Sequence, residues 1–432
     1  MSAFEKVQDK LLDLAAVVDE NKYLGSIRAA FTDFVPFIIV GSFGNLLNTL
    51  VASENGLAQW FPWLSNLSTA FNMINFATVS CMTIPIVFLI AMNLAKREKL
   101  PEFITGITAL ASYLLVCPNT ITAVVEEAEA VVTGLGSSVI GAQGLFIGMI
   151  MAIVSTEILK KLMSFEKLKI KLPNSVPHGI AVSFNTLIPI FIILIVISLF
   201  GNVFNLVSGS YLNEWIYAIV QTPLQAAFQS PIGAILMAIV NQLFWFLGVH
   251  GGMVIEPIRG PLSAAAIAEN IALVQAGGIA VNPVTRGFWT CFVVTGGGGI
   301  TLSLIFSILK FSKREDHKAI SKMSLLPGLC SINEPIVFGL PLVLNPVFAI
   351  PFIFNSAIAA AIALFATNIG FIQCGTFDVP PGIPVFINAF IGFGWQGVVV
   401  QLITLVVTFF IWTPFVLMSN KEREKELEQE QA

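Results

Sequence analysis

Glu334 is the residue of this sequence whose surroundings most strongly indicate a reaction with a polar ligand. It lies in the apolar segment 331–346, SINEPIVFGLPLVLNP, directly after Asn333. A carboxylate at mid-membrane depth costs on the order of 3 kcal/mol or more, so it is by default a candidate functional residue. A structural carboxylate neutralised by Arg259 or Arg286 is the alternative. We expect Glu334 to belong to a functional site, with Asn333 beside it.

His250 is the second candidate, because it ends the apolar run FWFLGVHGG. An imidazole both donates to and accepts from a hydroxyl, and Gly248 and Gly251 let the backbone approach a ligand closely. Trp245, in the same run, offers an aromatic platform for a sugar. A histidine satisfied within the core is the alternative. We expect His250, Trp245, Gly248, Gly251 and Arg259 to belong to the same site as Glu334.

Membrane-spanning helices must position these residues. The chain has 432 residues, of which 56% are hydrophobic and 11% charged, and its mean hydropathy is +0.85. A soluble domain is about 25% charged, so this composition excludes a soluble enzyme, a secreted disulfide scaffold, a disordered protein and a nucleic-acid-binding protein. The N-terminal residues do not resemble a cleavable signal peptide; positions 4–18 predict an amphipathic helix at the membrane surface. The predicted class is an all-α polytopic membrane protein.

Nine apolar segments have about the 20 residues that a crossing requires. They cover roughly 32–52, 78–95, 103–123, 139–159, 180–200, 231–249, 288–309, 346–368 and 396–418. Basic clusters follow several of these segments, whereas the connections 53–77, 124–138 and 201–230 contain no Lys or Arg. The excess of positive charge on cytoplasmic loops then places both termini in the cytoplasm.

Nine crossings cannot return the chain to its starting side, so the polar stretch 250–286 must hide a tenth. We expect irregular backbone there, which is tolerated at membrane depth only where it lines a cavity or is buried. Segment 327–346 is rich in proline and predicts a re-entrant hairpin, and 369–394 predicts a second irregular element. We therefore expect a scaffold half, 1–200, and a substrate-binding half, 201–432.

No metal or cofactor is predicted. The cysteines are isolated in apolar runs without a CxxC pair, which is typical of small buried hydrophobes, and the histidines have no metal-ligand spacing. The glycine run 296–299 lacks the Lys-Ser/Thr that completes a phosphate-binding loop; it indicates close packing or a bend within a predicted span.

Three motifs resemble one known family, the membrane-embedded C component (EIIC) of phosphoenolpyruvate-dependent sugar phosphotransferase systems, of the lactose/cellobiose/diacetylchitobiose type. They are KIKLPNSVPHGIAVSF at 169–184, FLGVHGG at 246–252 and SINEPIVFGLPLVLNP at 331–346. The resemblance covers nearly the whole chain. It implies a homodimer of ten-helix protomers in the bacterial cell membrane, with the first half holding the dimer and the second holding the sugar beside re-entrant hairpins.

The same resemblance implies roles for individual residues and partners. Glu334 and His250 match the family residues that contact the sugar near the hydroxyl that becomes phosphorylated, and Asn333 matches their neighbour. Both would be catalytic: Glu334 would take the hydroxyl proton as general base, and His250 would orient the hydroxyl or stabilise developing charge. The phosphoryl donor would be a separate cytoplasmic B protein carrying phosphocysteine, recharged by an A protein. The segment 379–382, VPPG, lacks the tryptophan of the diacetylchitobiose branch. The expected substrate is therefore a β-linked disaccharide, with cellobiose and diacetylchitobiose ranked above lactose.

Two other functions remain open from the residues alone. A proton-coupled secondary transporter would use Glu334 as its coupling carboxylate and release unmodified sugar. An intramembrane hydrolase would use Glu334 and His250 on water, although no second catalytic carboxylate lies nearby in the sequence.

Overall fold

The computed structural model of the chain describes residues 20–54, 56–125, 128–170, 173, 176–340 and 342–431. The predicted amphipathic helix at 4–18 lies outside them. The first half contains α1 (Lys22–Leu47), α2 (Ser68–Asn75), α3 (Thr83–Glu98), α4 (Glu102–Leu114), β1 (Thr120–Val125), β2 (Ala128–Thr133), α5 (Ser137–Ile140), α6 (Leu145–Met163) and α7 (His178–Ser208). The second half contains α8 (Leu212–Ile216), α9 (Thr222–Gln229), α10 (Pro231–Phe246), α11 (Gly251–Gln275), α12 (Arg286–Phe288), α13 (Thr301–Phe311), α14 (Glu315–Leu329), α15 (Glu334–Gly339), α16 (Ala349–Asn368) and α17 (Ile387–Gln431).

Six helical stretches of the described chain are long and apolar enough to cross a membrane. They are Lys22–Gln59, Pro62–Glu98, Ala142–Met163, Gly179–Ser208, Ala349–Asn368 and Ile387–Lys421. A seventh results if the bent pair Leu212–Gln229 and Pro231–Phe246, which meet at 79°, forms one crossing. Apolar side chains cover much of their outer surface, and only 22% of the apolar window of Gly179–Ser208 is buried. The chain is thus a helical, membrane-like protein, and a count of about ten crossings stays a prediction.

A β-hairpin departs from the predicted all-α fold. The span expected at 103–123 ends as a helix at Leu114, and β1 pairs antiparallel with β2 with Ile121 opposite Val132. Pro118 cannot continue a helix, and the residues after it, TITAVV, are rich in the β-branched types that favour strands.

The polar stretch 250–286 is more regular than its composition predicts. The expectation of irregular backbone there is wrong for α11, a continuous helix of 25 residues. Its alanine-rich second half has high helix propensity. The side chain of Asn270 then ties the following extended segment to the helix: its Oδ1 accepts from the backbone N–H of Asn282 at 2.9 Å, and its Nδ2 donates to the carbonyl of Asn282 at 2.8 Å. At 1.5 Å per residue α11 is about 37 Å long, enough to cross a bilayer core.

The apolar segment 288–309 is two elements instead of the predicted continuous span. A π-helical turn ends at Val293, and α13 begins only at Thr301. Between them Gly296 (φ 64°), Gly297 (φ 102°) and Gly299 (φ 73°) adopt left-handed backbone that side chains disfavour. The break is therefore encoded by the glycine run, which we name the glycine loop (residues 294–300).

The two proline- and glycine-rich segments contain little helix. Within 327–346, α14 ends at Leu329 and only the short α15 follows. Between α16 and α17 the described backbone is irregular from 369 to 386. Whether either segment re-enters the membrane stays a prediction.

The described residues divide into two compact units. The N unit contains Glu20–Gln225 with Gly260–Ala268, and the C unit contains Ala226–Arg259 with Glu269–Ala432. In the N unit, α3 packs against α1, α4 and α6, and the buried Tyr113 hydroxyl donates to the carbonyl of Val139 at 2.5 Å. In the C unit, α10 packs against α16 and α13 against α17, around a core that includes Trp245, Phe352 and Trp412. Separate scaffold and substrate roles for 1–200 and 201–432 stay a prediction.

Candidate functional site

Glu334 is the first residue of α15 and lines a cavity of the C unit. Asn333 precedes it, and the carbonyl of Asn333 accepts from the backbone N–H of Val337 at 2.9 Å. Pro335 occupies the first turn, where its missing N–H has no helical partner to lose. The Glu334 side chain is 46% exposed, so its carboxylate is available to a ligand.

His250 caps the N-terminus of α11 and faces Glu334. Its Nδ1 accepts from the backbone N–H of Met253 at 3.2 Å. A neutral imidazole whose Nδ1 accepts carries its proton on Nε2, and Nε2 lies 3.9 Å from Oε1 of Glu334. That separation is too long for a direct hydrogen bond. It leaves room for one ligand oxygen to accept from Nε2–H and to donate its own proton to the carboxylate.

Gly248 and Gly251, both predicted to belong to the site, determine the backbone path between α10 and α11 and so the position of His250. Gly248 follows α10 with φ 84°, as a glycine that ends a helix does. A Cβ on Gly251 would lie 1.9 Å from the carbonyl oxygen of Asn241, so α11 can begin there only with glycine. The result places the His250 ring 4.3 Å from the Trp245 ring. Neither glycine is among the residues that line the cavity.

The cavity has a volume of about 670 Å³, within the roughly 300–1,000 Å³ typical of small-molecule sites. The structure brings five of the predicted residues to its wall: Trp245, His250, Arg259, Asn333 and Glu334. Binding by any of them stays a prediction.

Two arginines form a second part of the wall. Arg259 makes an ion pair with Glu256, and Nη1 of Arg286 lies 3.4 Å from Oε1 of Glu256. The Arg259 guanidinium also lies over the Trp289 ring, 5.2 Å from its centre. Among the described residues neither arginine forms an ion pair with Glu334, whose basic partner is His250. The alternative of a carboxylate neutralised by a hidden arginine is therefore wrong for the described chain.

The glycine loop contacts Ser331 and Asn333, the residues that lead into Glu334. The Asn333 side-chain amide donates to the carbonyl of Gly298 at 3.4 Å, and the backbone N–H of Gly296 donates to the Ser331 hydroxyl at 3.1 Å. A Cβ on Gly297 would approach the Asn333 Cβ to 2.5 Å. The loop thus packs directly on the residue before Glu334.

Sequence reasoning missed several residues as part of this wall. Arg286 and Trp289 line the cavity. The sequence offered Arg286 only as a neutralising partner of Glu334, and Trp289, three residues later at the start of an apolar segment, gave no signal for a ligand. Pro381 and Gly382 also line it, so the segment that departs from the diacetylchitobiose branch lies at the site. Within the described part of the chain, no three His, Cys, Asp or Glu side chains come together as a metal ion requires.

The fold and the cavity together define a class: a helical, membrane-like protein with an internal cavity lined by polar and aromatic side chains. The family model of the phosphotransferase system EIIC matches residues 28–356. The oligo-beta-mannoside-specific EIIC component of Bacillus subtilis is 32% identical over 98% of this chain and 96% of its own length. The cellobiose-specific EIIC component of Lactococcus lactis is 28% identical over 97% of this chain and 98% of its own.

A solved structure agrees with these relatives. The crystal structure of the transporter ChbC, the IIC component of the N,N'-diacetylchitobiose-specific phosphotransferase system, superposes with a TM-score of 0.89 at 28% identity, covering 96% of this chain and 98% of its own. This chain belongs to the EIIC family, the membrane permease components of sugar phosphotransferase systems.

Proposed function

We propose that this chain moves a β-linked disaccharide across the membrane, coupled to phosphorylation of the sugar by a phosphocysteine-bearing B protein. One observation carries the proposal: Oε1 of Glu334 and Nε2 of His250 face each other at 3.9 Å, and both residues line the cavity. Relatives named for cellobiose, N,N'-diacetylchitobiose and oligo-β-mannosides support the substrate class. Lactose-specific relatives are also similar, at 27% identity in Lacticaseibacillus casei.

The two residues have complementary tasks in this proposal. A sugar hydroxyl between them donates to the Glu334 carboxylate and accepts from His250 Nε2–H. Its oxygen attacks phosphorus, so an O–P bond forms, the S–P bond of phosphocysteine breaks, and the thiolate of the B protein leaves with the bonding electrons. Glu334 takes the hydroxyl proton as general base, and His250 orients the oxygen.

Trp245 adds a small apolar surface to the cavity wall, because this residue is 5% exposed. Its indole is tilted by 47° against the His250 ring, with 4.3 Å between ring centres, so a sugar that touches the indole lies near the reacting pair. Cellobiose and diacetylchitobiose stay our first candidates, with lactose less favoured. Because Pro381 and Gly382 line the cavity, we expect this segment to influence which disaccharide binds.

The remaining parts of the proposal concern partners and placement. We propose a multi-pass protein of the bacterial cell membrane with both termini in the cytoplasm, working as a homodimer held by its first half. The basic segments 160–171 and 310–322 carry the positive charge that attracts an anionic B protein.

Sugar uptake into sealed vesicles tests the proposal. Labelled cellobiose, diacetylchitobiose and β-mannobiose are offered outside, with or without pre-phosphorylated B protein inside. We expect sugar phosphate to accumulate only with the B protein, and Glu334→Gln to abolish it. Glu102→Gln, which changes an exposed carboxylate at the start of α4, is the matched control.

The alternative gives the opposite pattern. A proton-coupled transporter would accumulate unmodified sugar in response to a proton gradient, regardless of the B protein. That result, with any of the three sugars, would overturn the proposed coupling to phosphorylation.

A further inference from the structure

The wall of the cavity that carries Arg259 and Arg286 has unused hydrogen-bond donors. A guanidinium group has five N–H donors in a planar fork. Within the described residues, the only side-chain hydrogen bond of Arg259 goes from Nη2 to Glu256, and its buried Nε has no partner. The guanidinium of Arg286 forms no hydrogen bond there and has only its ion pair with Glu256. Both side chains line the same cavity as Glu334 and His250.

A buried donor without an acceptor destabilises the folded protein, because the group has lost its hydrogen bonds to water. Arg259 is only 8% exposed, so its side chain is fixed in the wall. The side chain of Arg286 is 27% exposed, so it can reach into the cavity. Planar guanidinium forks match the oxygens of a phosphate group better than they match a hydroxyl. The donor set therefore suits an oxygen-rich anion.

Glu256 holds the two arginines together. It is 6% exposed, and its Oε1 accepts no hydrogen bond although Arg286 lies 3.4 Å away. Asp378, also buried, accepts from the backbone N–H of Gly287 at 2.7 Å. These carboxylates balance the charge of the guanidinium groups, and a phosphate dianion would compete with Glu256 for them.

We infer that Arg259 and Arg286 form a phosphate-binding site in the cavity, which holds the phosphoryl group as it arrives on the sugar and as part of the sugar phosphate product. The inference rests on the proposed function. Trp289 holds the Arg259 guanidinium over its ring by a cation–π contact, while Arg286 closes on the phosphate. Residues on two walls of the cavity thus have separate roles. Glu334 and His250 act on the hydroxyl, and the two arginines bind the phosphoryl group.

Binding of inorganic phosphate and of cellobiose to the full chain in lipid nanodiscs tests this site. Titrations at constant ionic strength are made with wild type, Arg286→Gln and Arg286→Lys. We expect Arg286→Gln to weaken phosphate binding about tenfold or more and to change cellobiose binding by less than about twofold. Arg286→Lys keeps the positive charge but lacks the planar guanidinium group. Its affinity for phosphate should therefore lie between those of wild type and Arg286→Gln.

Glu256→Gln supplies a signature that a purely structural ion cluster would not give. Removing the competing carboxylate should tighten phosphate binding several-fold. Arg97→Gln, an exposed arginine of α3 in the N unit, is the control and should bind phosphate like wild type. Size-exclusion profiles show that each variant is folded, and Arg259→Gln is measured in parallel in case one variant fails.

Three outcomes overturn the inference. Wild type binds no phosphate, or Arg259→Gln and Arg286→Gln both bind phosphate like wild type, or Arg286→Gln weakens cellobiose and phosphate binding equally. Failure of the proposed function looks different. In that case neither cellobiose nor the other disaccharides bind wild type, while the phosphate titrations still decide whether the arginine site exists.

Discussion

Glu334 Oε1 and His250 Nε2 lie 3.9 Å apart, and each belongs to the beginning of a different helix. Glu334 is the first residue of α15, and His250 is the cap of α11. The backbone has a defined geometry at the start of a helix. The separation of the two side chains therefore depends on the contacts that position the N-termini of α15 and α11. The glycine loop holds the first start through Asn333, and Gly251 fixes the second against Asn241.

Glu334→Gln should separate chemistry from binding. Glutamine has the same shape and can accept from His250, but it cannot take the hydroxyl proton. General-base catalysis contributes about 10²–10⁴-fold, so the rate of sugar phosphate formation should fall by that factor. Disaccharide binding, measured in nanodiscs, should weaken by less than about tenfold. Equal losses in binding and rate would show that Glu334 only holds the sugar.

Nδ1 of His250 caps α11, and we expect Nε2 to act on the sugar; two substitutions distinguish these roles. In His250→Asn the amide oxygen can still accept from the Met253 N–H, because asparagine is among the best helix caps, but nothing replaces Nε2–H at the sugar. In His250→Ala both are lost. We expect similar phosphorylation defects in both variants and an additional loss of about 1 kcal/mol of stability in the alanine variant.

Thermal unfolding followed by fluorescence-detected size exclusion measures the stability of both variants. An asparagine variant that phosphorylates sugar like wild type would mean that His250 acts only as a cap. An alanine variant as stable as wild type would show that the bond to Met253 contributes nothing.

Strong signals in the sequence predict the class of this protein and two residues that the structure brings together in the cavity wall. Glu334 and His250 stand out because charged and polar side chains are rare within apolar segments, and the cavity contains both. The helical character of the membrane segments follows from their length and hydropathy alone.

The errors have physical causes as well. Composition treats α11 as too polar for a regular helix, yet its carboxylate and arginine pair with each other, so the helix can carry them. The glycine run 296–299 predicts close packing or a bend within one span, whereas positive φ at three of these glycines interrupts the span. Arg286 could not be predicted as part of the cavity, because tertiary packing alone brings it beside Arg259 and Glu256.

Gly297→Ala should damage the site by displacing Asn333 and with it the start of α15. The new Cβ would lie 2.5 Å from the Asn333 Cβ and 2.6 Å from the Thr301 hydroxyl. Because Asn333 is adjacent to Glu334, we expect sugar phosphorylation to fall at least tenfold, beyond any loss of stability. The measurement is vesicle uptake normalised to the amount of folded protein.

Gly277→Ala is the control matched in backbone conformation. Gly277 has φ 81°, and nothing lies within 4 Å of an added Cβ. It should cost the roughly 1–2 kcal/mol of a left-handed alanine and leave phosphorylation per folded molecule unchanged. If both variants lose activity equally, backbone strain accounts for the effect and contact with Asn333 does not.

His317 on α14 should make the protein sensitive to mild acid. The side chain is 6% exposed, and burial, aided by the neighbouring Arg314, lowers the pKa of His317 below its usual 6.5, against the opposing charge of Asp316. The unfolded chain then binds a proton at a higher pH than the folded chain. Stability is therefore complete above about pH 6.5 and decreases as the pH falls toward the folded pKa.

His317→Gln should remove this dependence, so that the apparent melting temperature changes less between about pH 7 and pH 5 than in wild type. Lys322→Gln, an exposed position on the same helix, removes a positive charge that does not titrate in this range, and its profile should follow wild type. Asp316 does not interfere, because its ion pair with Arg314 lowers the pKa of its carboxyl to about 2, so its contribution is lost only at far lower pH. A His317→Gln profile as steep as that of wild type would assign the acid sensitivity to another group.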